Sequence, residues 1–141
     1  MEITEKVKKL ITHLTKDLSI MEIWLIGSRA SGNHHSESDW DILVFSNNEP
    51  QVTSSRVEGI DVLWKGPSGK VLLKGMSNFY QMEFSDFNWV EIAEAQAIYS
   101  GKKFNDVPDG IRDASIPLQS IVESKAVRLW HRHQVAKLDF M

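Results

Sequence analysis

Two aspartates stand one residue apart, Asp39 and Asp41, in the run SDWDILV. In an extended strand, residues i and i+2 project from the same face. The two carboxylates are then neighbours, and Trp40 and Ile42 turn the other way into a core. Carboxylates this close repel and raise each other's pKa unless a cation lies between them. Mg2+ resolves that conflict, because it takes one or two carboxylates and completes its shell with phosphate and water. A bare Asp-x-Asp is weak evidence, since a solvent-facing pair at an edge strand reads the same way. A third carboxylate adds weight. Asp61 sits between Ile60 and Val62 in VEGIDVLW, and an Asp in an apolar strand is costly unless paired, bonded or metal-bound. If its strand lies beside that of Asp39, three carboxylates converge. Such a group suits a two-metal site, in which one ion activates an attacking oxygen and the other holds a triphosphate and its leaving group. The plainer alternative for Asp61 is a strand-end residue of ordinary exposure.

Upstream, the apolar run MEIWLI breaks at Gly27-Ser28. Gly lets a backbone approach a ligand closely, and free N–H groups at a helix start attract phosphate. The Ser28 hydroxyl adds a donor, Arg29 is placed to pair with a phosphate, and Gly32 permits a second turn. Taken alone, Gly-Ser is an ordinary turn and Arg29 an ordinary surface residue. His34 and His35 fall in the same loop, where substrate contact is the less common use of such residues.

These residues need elements to position them. Ile3, Val7, Leu10, Leu14 and Leu18 recur at helical spacing and predict an amphipathic helix over residues 3 to 18. MEIWLIG predicts a buried strand, GSRASGNHHSES a turn with one helical turn near Ser28 to Ser31, and DWDILVF a second strand. NNEPQ is a polar turn containing Pro50. RVEGIDVLWK predicts a third strand, GPSGK a turn, and KVLLKGM is open between strand and helix. SDFNWVEIAEA reads as a short helix capped by Ser85 or Asp86, with Glu91 and Glu94 facing solvent. QAIYSGKKF reads as an edge strand and DVPDGIRDASIP as a loop. Pro117 then opens a final helix, about 117 to 138, with Leu118, Ile121, Val122, Ala126, Leu129 and Trp130 on its apolar face. The expectation is one α+β domain over residues 1 to 141, with a core of about 1 to 104. Its architecture is a small mixed sheet with helices packed mainly on one face.

Composition narrows the function classes. The chain has 141 residues, with 42% hydrophobic and 25% charged, as in ordinary globular domains. Its formal net charge of −3 supplies no global field to draw in nucleic acid. It has no cysteine, which excludes disulfides, thiol catalysis and thiolate-ligated zinc. The charged start MEITEKVKKLITHLTKDL has no apolar core of the signal-peptide kind, and no apolar run approaches the ~20 residues of a membrane span. A cytoplasmic protein with no membrane partner is expected.

Gly27-Ser28, a ten-residue gap and then Asp39-Trp40-Asp41 resemble the signature of the minimal nucleotidyltransferases of the DNA polymerase β superfamily. Asp61, twenty residues beyond Asp41, is similar in context to that family's third aspartate. The resemblance spans about Leu25 to Trp64, and the flanking elements suit the family's small core. It departs at NHHSES, where many relatives carry a basic or Pro-containing stretch and this chain has His34, His35 and Glu37. The resemblance implies transfer of a nucleoside monophosphate, AMP by expectation, from an NTP to an acceptor hydroxyl with release of pyrophosphate. It implies Asp39, Asp41 and Asp61 as catalytic residues and metal ligands. It implies Gly27 and Ser28 as phosphate-holding residues, Arg29 beside them, and two Mg2+ ions as cofactors, with Mn2+ as a substitute. Larger relatives add an acceptor domain for which this chain offers little room. The acceptor is then expected on a small helical protein partner, on a homodimer, or on the region after residue 65. Negative net charge favours a protein or small cationic acceptor over long nucleic acid. The alternative is a catalytically weak nucleotide-binding or partner-binding module, such as an antitoxin-like subunit.

The remaining signals read as bland. His131 and His133 in RLWHRHQ would stand about 200° apart on a helix, too far apart to share a metal, and suit a solvated basic helix end. Arg128 and His133 match an Arg-x4-His spacing of helical ribonucleases, but that needs a helical bundle. The five tryptophans, Trp24, Trp40, Trp64, Trp89 and Trp130, read as core or interface.

Overall fold

A computed structural model of the chain describes residues 3–32, 34, 36–49, 57–74, 81–104 and 119–132. The first helix, α1, runs Glu5–Leu14, capped by Thr4, whose hydroxyl accepts from the Val7 amide at 3.4 Å. It ends four residues earlier than its periodicity predicts, and Leu18 is 77% exposed. The Asp17 carboxylate takes both the amide and the hydroxyl of Ser19, at 2.9 and 2.7 Å. That local bond offers the backbone an alternative to another helical turn and swings it into the first strand.

Eight strands form one sheet among the described residues. They are β1 Ile20–Ile26, β2 Trp40–Ser46, β3 Ile60–Lys65, β4 Lys70–Lys74, β5 Gln81–Glu83, β6 Val90–Ala93, β7 Gln96–Phe104 and β8 Gln119–His131. A short helix, α2, occupies Gly27–Ser31 between β1 and β2. The spatial order is β5-β4-β3-β2-β1-β8-β7-β6. Only β2 and β3 run parallel; the other neighbouring pairs are antiparallel. The result is a sheet-rich α+β fold with a curled sheet, and the two α-helices among the described residues are short. No helix among the described residues is long and apolar enough to cross a membrane.

β1 lies at the centre, and Ile23, Trp24, Leu25 and Ile26 are all buried. A strand covered on both faces reads as a continuous apolar run, which is why MEIWLI is so legible. Ile23 and Leu25 join Val7, Trp40, Ile42, Val44, Ile60 and Trp64 on the side where α1 packs. Trp24 and Ile26 face the second cluster with Leu43, Val71, Phe87, Ala97, Tyr99 and Ala126. Curling brings distant strands together over that second face, where Trp24 meets Trp89 edge-on at 4.9 Å.

Several expectations are corrected. The final helix is the strand β8 over Gln119–His131; residues 117, 118 and 133–138 lie outside the described ones. Ile121, Glu123 and Lys125 are exposed, Val122 and Ser124 half-buried and Ala126 buried, which is a two-residue period. β8 fills the gap between β1 and β7 and pairs with both. A register shift against β1, where Ile23 faces Trp130 and Trp24 faces Arg128, lets Leu129 and Trp130 both pack on the first cluster. This bulge breaks the alternation and imitates a helical stripe. The reading of the basic tail changes with it. Arg132 donates to the carbonyls of Ile20, Thr15 and Asp17 at 3.0–3.1 Å and so staples β8 to the α1–β1 turn. The helical argument about His131 falls, and His133 lies outside the described residues.

The short helix at SDFNWVEIAEA is also overturned. A single 3-10 turn, Phe84–Phe87, stops at Asn88 in the left-handed conformation (φ 47°), and β6 follows. Neither Ser85 nor Asp86 caps it; the preceding residue is Glu83, without a side-chain cap bond. Glu91 is on β6, and Glu94 with Ala95 forms the turn into β7. β7 is not the edge strand, because β6 lies outside it. β3 begins at Ile60, after a turn through Gly59 (φ 82°) closed by the Ile60 amide on the Val57 carbonyl at 3.0 Å. KVLLK is the strand β4. Pro50, Gln51 and the loop DVPDGIRDASIP lie outside the described residues.

Candidate active site

The turn before β3 sets the register that matters most. The Trp40 amide donates to the Gly59 carbonyl at 2.9 Å, so β2 and β3 start together. Asp41 then faces Asp61 directly across the parallel pair. Trp40, Ile42 and Ile60 turn to the other face, into the first cluster. Asp39 is exposed, just ahead of β2, while Asp41 and Asp61 are half-buried.

Asp41 carries the electrostatic cost of this arrangement. Its pKa is pushed up from 3.8 to about 7, first by burial, then by the charges of Asp61 and Asp39, and by a hydrogen bond with Asp61. Asp41 therefore holds its proton to a higher pH than an exposed carboxylate does. The donor set suits a hard divalent ion in chemistry and in charge. Among the described residues, however, no three His, Cys, Asp or Glu side chains already stand in a ready metal-holding group.

Gly27 opens α2 at φ 76°, a conformation that favours glycine. A Cβ there would overlap the Asp41 carboxylate oxygen Oδ2. Gly27 is therefore required twice, for its backbone and for the space that Asp41 fills. Gly32 ends α2 in the left-handed region (φ 81°), its amide on the Ser28 carbonyl. Ser28 itself is half-buried at the start of this turn.

Residues 8–64 match a family model described as Polymerase beta, Nucleotidyltransferase. That segment is similar to a polymerase β-type nucleotidyltransferase core. The match begins within α1 and ends at Trp64 in β3, so it contains Gly27, Ser28, Asp39, Asp41 and Asp61. No curated protein and no solved structure matches the chain.

Within the matched segment, Arg29 makes contacts that its place in the sequence does not announce. Its Nε donates to the Ser38 carbonyl at 3.1 Å, and its Nη2 to the carbonyls of Ser36 and Ser38 at 3.2 and 2.9 Å. The guanidinium lies 4.3 Å from the Trp40 ring centroid. Arg29 thus braces the backbone of the residue immediately before Asp39. His34 and Glu37 are exposed in the same loop, and His35 lies outside the described residues.

Tyr99 was missed by sequence reading. Its hydroxyl, from β7, accepts the Gly27 amide at 2.8 Å across 72 residues of sequence. Burial pushes the Tyr99 phenol upward, and the charge of Asp41 adds to that. The one available signal was general: a Tyr in an apolar strand, here AIYSG, usually finds a partner for its hydroxyl. Nothing in that rule points to Gly27.

Proposed function

We propose that the protein is a Mg2+-dependent nucleotidyltransferase that moves AMP from ATP to an acceptor hydroxyl and releases pyrophosphate. The observation that carries this reading is the register of Asp41 against Asp61, with Asp39 ahead of them and the Gly27–Ser28 turn beside them. The family match over the same residues supports it. Asp39 and Asp41 would hold both ions, and Asp61 would complete the site for one of them. Bound there, the ions would neutralise triphosphate charge and acidify the acceptor hydroxyl. Asp61 would take the acceptor proton. The acceptor oxygen forms its bond to the α-phosphorus as the bond from that phosphorus to the pyrophosphate oxygen breaks. Gly27 and Ser28 would orient the leaving β and γ phosphates. Catalysis here is positioning and charge neutralisation rather than covalent chemistry. The proposed acceptor is a protein or small-molecule hydroxyl, in keeping with the net charge of −3. A small helical partner or a second copy of the chain would present it.

A second reading, a nucleotide- or partner-binding module of weak activity, draws on the absence of a ready three-ligand group among the described residues. One experiment separates the two. The protein is incubated with α-labelled ATP and Mg2+, alone and in lysate, beside an Asp39→Asn/Asp41→Asn variant. Label on a protein, RNA or small molecule that disappears in the variant establishes transfer and names the acceptor class. Equal labelling by the variant rejects the site. ATP binding without any label favours the binding module.

A further inference from the structure

We infer that Tyr99 is a positioning residue for Asp41, acting through the Gly27 turn. The inference rests on the nucleotidyltransferase reading above and extends its site to a strand outside the family-matched residues 8–64. Its chain of contacts is short. The Asp41 carboxylate packs against Gly27 so closely that no Cβ fits between them. Gly27 in turn is held by its amide on the Tyr99 hydroxyl at 2.8 Å. The residue that precedes α2, Ile26, has no side-chain cap to offer, so the phenol supplies the anchor that the turn lacks locally.

The anchor is itself rigid. Tyr99 is 7% exposed. Its ring lies against Trp89, stacked at 5.9 Å, and against Phe87 at 6.1 Å. Ser124 is its register partner on β8, and the Ser124 hydroxyl donates to the Val122 carbonyl at 3.4 Å. A Cβ at Gly101 would overlap the Ser124 hydroxyl and lie 3.5 Å from the Tyr99 ring. Gly101 therefore keeps open the space in which Ser124 stands beside Tyr99. The aromatic cluster thus fixes the phenol, the phenol fixes the turn, and the turn is the wall on which the Asp41 carboxylate rests. Groups that orient a ligating carboxylate act on metal affinity and on turnover without touching substrate.

Tyr99→Phe removes the hydroxyl and keeps the ring. Three changes are expected in a folded variant. Exchange of the Gly27 amide, read by NMR, becomes at least about tenfold faster. Affinity for Mn2+ alone, without nucleotide, falls about tenfold. In the transfer assay kcat falls about tenfold while KM for ATP stays within about twofold. Ser124→Ala serves as the second variant should Tyr99→Phe fail to fold, and it shows the same changes at smaller size. A folded variant with unchanged Gly27 exchange or unchanged Mn2+ affinity, beside a wild type that binds Mn2+, overturns the inference and leaves the transferase reading standing. A wild type that neither binds Mn2+ nor transfers label overturns both.

Discussion

The segment from α1 to β3 and the segment from β6 to β8 build one sheet, yet they obey different rules. The first carries its chemistry in local patterns: Gly27-Ser28 after a buried strand, Asp39 and Asp41 about a strand start, Asp61 among apolar residues. The second carries no such pattern. Its longest strand, β8, reads as a helix, and its contribution to the site is one phenol hydroxyl. Residues that do chemistry are constrained by short-range spacing. Residues that support them are constrained by whatever the fold brings near.

Four tests probe this contrast, beginning with the largest effect. Ala126→Asp on β8 buries a charge in the second cluster, where Ala126 is 1% exposed, and should cost about 3–5 kcal/mol in chemical denaturation. Ile121→Asp on the same strand, at a position 77% exposed, should stay within about 0.5 kcal/mol. A helix with both residues on one apolar face would make the two costs similar, and that result would break the comparison.

Gly27→Ala comes next. It forces a side chain into a left-handed backbone and into the Asp41 carboxylate. A loss of about 1–3 kcal/mol is expected, with transfer activity lost more steeply than stability. Calorimetry and the labelling assay together check it, and a neutral Gly27→Ala would remove Asp41 from its place against the turn.

The third effect is one of pH. In the metal-free fold Asp41 keeps its proton up to about 7, whereas in an unfolded chain it would ionise near 3.8. Its folded pKa is the higher one, so its contribution to stability is full below about 4 and is lost as pH rises towards 7. The full shift corresponds to about 4 kcal/mol, and partial solvent contact reduces the expected loss to about 2 kcal/mol. Asp41→Asn should flatten that part of the stability profile. Divalent metal must displace the proton, so Mn2+ affinity should rise with pH through the same window in wild type and not in Asp41→Asn. Isothermal titration at pH 6 and pH 8 reads both.

The smallest effect is at Arg29. Arg29→Ala should lower stability by about 1–2 kcal/mol through the lost carbonyl bonds and the lost contact with Trp40. Arg29→Lys should not restore it, because an ammonium cannot reproduce the planar fork. If KM for ATP rises tenfold while stability holds, Arg29 is a phosphate contact first and a brace second.

Much of the site was legible before the fold, though unevenly. Asp41 and the opposed Trp40 and Ile42 follow from strand periodicity, the turn at Gly27 from the break in an apolar run, and the notice given to Asp61 from the cost of a carboxylate in an apolar strand, whereas Asp39 stands just ahead of β2 rather than in it. The strands β1, β2 and β3 follow from the same patterns, with a late start for β3 because Gly59 still belongs to the turn. The early end of α1 was hidden in one Asx turn at Asp17. β8 was hidden by a bulge that places Leu129 and Trp130 on one cluster and so mimics a helical stripe. β6 was hidden because Glu91 and Glu94 suit an exposed strand and its turn as well as they suit a helix.

By itself, then, the sequence determined that two carboxylates flank Trp40 beside a glycine turn, because alternation along a strand is a property of the backbone alone. Only the tertiary structure decided that Asp61 stands level with Asp41, that Arg29 braces the loop before Asp39, and that Tyr99 holds Gly27. Each of those depends on which strands become neighbours. That choice is made by the burial of both faces of β1 and by pairing across the whole sheet, energies that no short window of residues contains.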